Sequence, residues 1–217
     1  MIEGRKERLE NTRRGVKYFI LICLLASVLS PLPSEAEGIR VNKAEARYSE
    51  NTYQLSANFD IHFNFVIDQA LMRGVTLDFI SEFSLTRPRW YWLDETVTQS
   101  EQTTRLFYNA LTRQYRVARG SLFQNFSSLE TALQIIGHQT AAPINAKLLE
   151  EDGGYIAALL PKNDADYIAA ARLRLDVTQL PKPLQVNALA ADEWSLDSGW
   201  YRWIVRPAAA LSAAEGE

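Results

Sequence analysis

The stretch that decides the fold is YQLSANFDIHF, residues 53–63. Apolar residues occupy its odd positions and polar residues its even positions. Because successive side chains of a strand point to opposite faces of the sheet, this alternation predicts a half-buried β-strand whose odd positions face the core. Residues 39–48 are predicted to form a preceding strand, joined to the first by a turn at residues 49–51.

Five further segments show the same alternation or are rich in β-branched and aromatic residues. Such residues favour strands, and turn-forming residues separate most of the segments from one another. The five predicted strands are residues 75–85, residues 105–117 with a bulge at 109–110, residues 167–177, residues 184–190 and residues 200–205.

Two short helices are predicted between these strands. Asn64 is a suitable N-cap for a helix over residues 65–73, with Gly74 just beyond its end. The sequence Ser-Ser-Leu-Glu at residues 127–130 has the pattern of a capping box, and apolar residues then recur at helical spacing until Gly137.

Alternating strands without a repeated strand–helix–strand pattern indicate a mostly β protein. The predicted fold is an antiparallel β-sandwich, either immunoglobulin-like or a partly open barrel, with two short helices. It forms a single domain over residues 39–206. Residues 207–217, PAAALSAAEGE, are small and polar, and they are predicted to be a disordered tail.

Residues 1–36 have the pattern of a signal peptide. Six basic residues precede an apolar run at residues 18–29, and the small-residue pattern Ser34–Glu35–Ala36 follows. The chain is therefore expected to be exported to the periplasm. The alternative is an uncleaved inner-membrane anchor, in which case residues 18–29 alone contact the membrane. Cys23 is the one cysteine in the chain, so the exported part would contain neither disulfide nor thiolate.

The charge balance argues against a nucleic-acid partner. The whole chain has a net charge of −3, and loss of residues 1–36 would remove six basic but only four acidic residues. Binding to nucleic acid usually requires a strongly basic surface. A protein that binds nucleic acid is therefore not expected.

The residue types that carry catalysis are sparse. His62 and His138 are the only histidines, and neither has further ligands at metal-binding spacing. The chain also contains no phosphate-binding glycine loop and no nucleophile elbow. No catalytic residue, cofactor or metal is predicted, and a binding role is favoured over an enzymatic one. The alternative is a hydrolase of envelope glycan or lipid that uses carboxylates or His62.

The segment LTRPRWYWLDE, residues 85–95, is the main candidate for an interaction surface. If the inward phase of the strand before it continued, Arg87 and Arg89 would be buried at high energetic cost. A bulge at residues 86–89 would instead turn Trp90 and Trp92 inward and leave both arginines free to pair with Asp94 or Glu95. The alternative is an exposed Trp/Arg surface for a partner or glycan. The candidate contact residues are Arg87, Arg89, Trp90 and Trp92, with Arg113 and Arg116 as a second basic cluster.

Four stretches carry a family resemblance: LTRPRWYW (85–92), LFYNALTRQYRV (106–117), LRLDVTQLPKPLQVNAL (173–189), and Trp194 with Ser198–Gly199–Trp200. Together they resemble domain of unknown function 4390, which occurs in exported proteobacterial proteins often encoded beside a sensor histidine kinase. The resemblance covers residues 40–205 and supplies no functional residues. It implies a periplasmic binding or protein-interaction module of the cell envelope, linked to two-component signalling. The expected partner is an envelope or membrane protein such as a sensor kinase.

Overall fold

The computed structural model describes residues 38–88, 93–150, 166–190 and 192–206. The predictions for residues 1–36, residues 207–217, Arg89, Trp90 and Trp92 lie outside these ranges.

The first sheet is built around the stretch that decides the fold. Strand β2 (Thr52–His62) pairs antiparallel with β1 (Gly38–Ser49), and the turn between them places Glu50 and Asn51 at φ 48° and 61°. Positive φ at both central residues is the geometry of the tight hairpin turn that matches strand twist. The odd positions of β2 from Tyr53 to Ile61 are buried, as predicted. Two short strands, β7 (His138–Thr140) and β8 (Ile144–Asn145), pair with the other edge of β2.

The second sheet contains six antiparallel strands in the order β10-β9-β3-β4-β5-β6. Its central strand β3 keeps the predicted inward odd positions, and Leu77, Phe79, Phe83 and Leu85 are buried. The strands are β3 (Leu77–Arg87), β4 (Glu95–Asn109), β5 (Gln114–Arg119), β6 (Leu122–Phe126), β9 (Tyr167–Leu175) and β10 (Tyr201–Val205).

The two sheets pack face to face around one core. The rings of Phe63, just after β2, and Phe79 on β3 stack with their centroids 6.2 Å apart. Ser81 on β3 donates a hydrogen bond of 3.1 Å to the side-chain oxygen of the fully buried Gln139 on β7. Strands make up more than half of the described residues, and neither sheet closes into a barrel there. The protein is a mostly β antiparallel sandwich, which confirms the predicted fold class.

Both predicted helices are present. Helix α1 (Phe65–Met72) begins at Asn64, whose side chain accepts a hydrogen bond of 2.9 Å from the Ile67 backbone N–H. Helix α2 (Leu129–Gly137) begins after Ser128, which caps Thr131. The described residues include two more α-helices, α3 (Lys147–Glu150) and α4 (Lys182–Ala190).

Two strand predictions were wrong. Residues 105–117 form the β4–β5 hairpin rather than one bulged strand, because the Asn109 side chain accepts hydrogen bonds from the backbone N–H groups of Leu111 and Thr112 and turns the chain. Residues 184–190 lie in α4. Its first turn contains Pro183, which a helix tolerates there because the first N–H groups have no partner within the helix.

Gly137 has a role that the sequence did not indicate. A Cβ atom at this position would lie 2.1 Å from the Phe59 carbonyl oxygen of β2. Contact between Cβ and a backbone atom at that distance is sterically impossible, so glycine allows α2 to lie directly on β2.

Candidate functional site

Arg87 lies at the end of β3, and its guanidinium is held inside the protein. Its side chain is 14% exposed. Nη2 donates hydrogen bonds of 2.6 Å to the Tyr167 hydroxyl and 3.1 Å to the Leu149 carbonyl, and Nη1 lies 3.6 Å from a carboxylate oxygen of Glu95. The Arg87 side chain therefore points inward, as the other odd-numbered side chains of β3 do. Its partners compensate for the removal of its charge from solvent.

The predicted bulge exists in this region, but it lies on the neighbouring strand. Leu85 pairs with Thr98 and Thr86 pairs with Thr96, so Val97 of β4 is the extra residue. Strand β3 carries no bulge up to Arg87, and Arg89, the end of the predicted range, lies outside the described residues. The expected ion pair between Arg87 and Glu95 is confirmed.

The two basic clusters named from the sequence lie far apart. Arg87 pairs with Glu95 at one end of β4, and Arg116 pairs with Phe107 near the other end, about 40 Å away at the usual rise per residue. Arg116 donates a 3.0 Å hydrogen bond to Asn125 and lies over the Phe123 ring. Arg113 is exposed in the β4–β5 turn at φ 53°. These residues do not form a combined patch.

The structure instead forms an open groove of about 580 Å³ beside α1 and α2. Its apolar lining comes from the end of β2, the start of α1 and one face of α2. Phe65 at the groove is largely exposed, and Leu129 and Leu133 are partly buried. The lining residues are Phe59, Asp60, Ile61, His62, Phe63, Asn64, Phe65, Asp68, Leu129, Glu130, Leu133 and Gln134.

Three carboxylates give this groove its charge. Asp60 and His62 are even positions of β2, so they lie on the same outward face. Asp68 and Glu130 lie in the first turns of α1 and α2, where the helix dipole favours negative charge. None of the described residues that line the groove is Lys or Arg. The groove thus combines an apolar floor with an acidic rim.

No group of three or more His, Cys, Asp or Glu side chains in the described ranges is placed to hold a metal ion. His138 is exposed, and its Nδ1 lies 2.6 Å from the Asn58 side-chain oxygen.

Ion pairs lie on the outer face of the six-stranded sheet between β3 and β9. Glu82 on β3 accepts a hydrogen bond of 3.0 Å from Arg174 and lies 3.9 Å from Arg172, both on β9. Arg172 also donates two hydrogen bonds to Asp197. The Arg172 guanidinium thereby lowers the pKa of Asp197 below its ordinary value, and the Gly199 backbone N–H acts in the same direction. These charges on β3 and β9 are therefore paired with one another and with Asp197.

The groove residues other than His62 escaped prediction. One signal was available, because each predicted helix carries an acidic residue in its first turn. However, nothing in the local sequence indicated that these two helix starts would lie beside the end of β2.

Among the described helices, none is long and apolar enough to cross a membrane.

Comparison with known protein families identifies the family of the chain. The family model described as domain of unknown function (DUF4390) matches residues 36–204. Neither a curated protein nor a solved structure matches the chain at a significant level.

Proposed function

Because the chain belongs to the DUF4390 family, a domain of unknown function, its activity has to be inferred from its own surface, and we propose that it is a periplasmic protein-interaction module of the cell envelope. The groove beside α1 and α2 is the proposed binding site. The ligand is a peptide segment that carries both basic and apolar side chains.

One observation carries this proposal: an apolar groove whose titratable rim residues are Asp60, Asp68, Glu130 and His62. Its volume falls within the usual range for ligand sites, about 300–1,000 Å³. The apolar floor provides area that a ligand can cover, and the carboxylates attract positive charge and set its orientation. A segment with both properties would satisfy the floor and the rim together.

The cellular context of this proposal comes from the sequence. The signal-peptide pattern of residues 1–36 supports export, and the family resemblance supports an envelope or membrane protein, such as a sensor kinase, as the owner of the bound segment. A basic segment next to a membrane helix of such a protein has the required chemistry.

Fluorescence anisotropy with three labelled peptides of equal length tests the proposal. The first alternates Lys with Leu, the second Glu with Leu, and the third Lys with Ser. The purified chain should bind the first peptide most tightly, because only that peptide matches both the floor and the rim. Equal affinity for the first and second peptides would refute the role of the acidic rim.

A variant that lacks two of the groove carboxylates tests the role of the acidic rim in binding. Asp60→Asn combined with Glu130→Gln should weaken binding of the Lys/Leu peptide about tenfold, which corresponds to about 1.4 kcal/mol. Glu101→Gln is the control, since Glu101 is exposed on β4 and is not part of the groove lining. Equal losses in both proteins would indicate a general charge effect rather than a site.

The same groove offers one observation in favour of a hydrolase that acts on envelope glycan or lipid. His62 and Asp60 share a face of β2 and both line the groove, an arrangement that could position a base beside a carboxylate. Fluorogenic glycan and lipid-ester substrates test this second candidate. Turnover that disappears in His62→Ala but persists in His138→Ala would favour it over the binding module.

A further inference from the structure

Strand β6 is an edge of the six-stranded sheet, and its sequence lacks the usual protection of an edge. In the described part of the chain it pairs with β5 alone. Four of its five residues are exposed, including Leu122 at 76% and Phe123 at 59%. An edge strand presents a row of backbone N–H and C=O groups that another strand can pair with.

The sequence around β6 contains none of the residues that usually prevent such pairing. Residues 120–129, GSLFQNFSSL, include neither a charged residue nor proline. Natural sheets commonly protect their edges with charges, proline or bulges, and a short uncharged segment of high β-propensity readily adds strands.

Two other edges of the sandwich carry charge. Strand β1 carries Arg40, Lys43, Glu45 and Arg47, and its pairing with β2 is interrupted by a register shift after Val41. Strand β10 contains Arg202 and is followed by Arg206. The edges at β1 and β10 therefore carry the charge that β6 lacks.

We infer that β6 pairs antiparallel with the β6 strand of a second copy of the chain, which joins two six-stranded sheets across a twofold axis. If the axis passes beside Gln124, then Gln124 faces its own counterpart, Leu122 faces Phe126 and Phe123 faces Asn125. Two copies of a net negative protein repel each other over most of their surfaces, but this edge carries no charge that would oppose contact.

A twofold contact also explains how such an edge can exist without uncontrolled assembly. In an isologous pair each β6 edge covers the other, so neither remains available to a third chain. Among the described strands, the two remaining edges of the extended sheet would be the two copies of β10, which contains Arg202. The inferred assembly therefore stops at a dimer and does not depend on the proposed groove ligand.

Sedimentation velocity of the purified full chain over a micromolar-to-millimolar concentration series tests the inference. We expect a monomer–dimer equilibrium, weak because a five-residue strand buries little area. Gln124→Lys should shift the dissociation constant upward at least about tenfold, since it places two like charges directly opposite each other. The same substitution at exposed Gln99, in the middle of the sheet, should leave it unchanged.

Variants with opposite charges at residue 124 make the test specific. Gln124→Lys and Gln124→Glu should each be monomeric alone, and an equimolar mixture should dimerise again. General damage to the fold cannot produce this rescue, and circular dichroism of each variant confirms that it is folded. A wild-type chain that remains monomeric throughout, or a mixture that fails to dimerise, would overturn the inference.

Cross-linking fixes the register. In a Cys23→Ser background, Gln124→Cys should form a disulfide-linked dimer on mild oxidation. Asn125→Cys should not, because its counterpart would lie beyond the roughly 7 Å Cα separation that a disulfide allows. Efficient linkage of Asn125→Cys but not of Gln124→Cys would refute the proposed axis.

Discussion

Replacing Arg87 tests how a buried guanidinium is tolerated at the end of β3. Arg87→Met retains much of the apolar stem but removes the hydrogen bonds to the Tyr167 hydroxyl and the Leu149 carbonyl, as well as the ion pair with Glu95. Hydrogen bonds that involve a charged group contribute about 1.5–3 kcal/mol each. The ion pair adds little, about 0–1 kcal/mol, because Glu95 is 36% exposed.

The sum of these contributions overstates the expected effect. Tyr167 itself donates a hydrogen bond to the Leu149 carbonyl, so neither group is left without a partner when Arg87 is removed. Loss of the charge also removes its desolvation penalty. We therefore expect Arg87→Met to lower the free energy of unfolding by about 2–3 kcal/mol, a large part of the 5–15 kcal/mol that is typical of a domain.

Urea unfolding followed by far-UV circular dichroism measures this change. Tyr167→Phe should lower stability by about 1–2 kcal/mol, and the double variant should show a coupling of about 1 kcal/mol or more because the two side chains share hydrogen bonds. Arg113→Ala is the control, since Arg113 is exposed in a turn. If Arg87→Met were as stable as the wild type, the interpretation of these contacts as compensation for burial would be wrong.

Three further predictions concern other parts of the sandwich. Gly137→Ala should destabilise the protein by at least about 2–3 kcal/mol in urea unfolding, because the new Cβ would overlap a β2 carbonyl. Gly120→Asn is the control: Gly120 lies in open space at φ 58°, and the change in stability should be less than about 1 kcal/mol. Because the pKa of Asp197 is lowered in the folded protein, its pairing with Arg172 stabilises the fold at neutral pH. This contribution disappears as the pH falls below the ordinary carboxyl pKa of about 4. Asp197→Asn should therefore be less stable than the wild type at pH 7, with a difference that shrinks on acidification; a constant difference would contradict the assignment. Arg119→Met should leave thermal stability unchanged or raise it, because Nη2 of Arg119 is buried without a hydrogen-bond partner among the described residues. A clear loss of stability would show that this charge is compensated.

The sequence predicted the parts of the fold that local patterns determine. A period of two identified β2, β3 and β9 with the correct inward positions, because burial of one sheet face constrains every second residue. Asn64 and Ser128 marked both predicted helix starts because capping depends on neighbouring residues alone.

The errors arose where local patterns were ambiguous. Residues 184–190 are apolar enough for a strand, but helix-favouring residues and a proline at the first turn determine the outcome. The β4–β5 turn contains neither glycine nor proline, so the sequence did not predict a turn there. The turn depends instead on the hydrogen bonds that the Asn109 side chain accepts. The groove could not be predicted at all, because it forms where α1, α2 and the end of β2 meet, and their relative placement depends on the whole core.

The position of the bulge next to Arg87 follows from sheet topology. Thr86 of β3 pairs with Thr96 on one side and with Ile168 on the other, so an extra residue in β3 would disrupt two ladders at once. Among the described strands, β4 pairs at Val97 with β3 alone, since its pairing with β5 begins only at Thr104. A bulge there disrupts one ladder and leaves the inward phase of β3 unchanged, so the Arg87 side chain points inward, where it is largely shielded from solvent and is paired. Strand phase and charge thus conflict at Arg87, as the sequence indicated. The sheet provides partners for the charge and does not turn the strand. A central strand is paired on both sides, so a shift that moved its side chains to the opposite face would cost more than pairing one arginine.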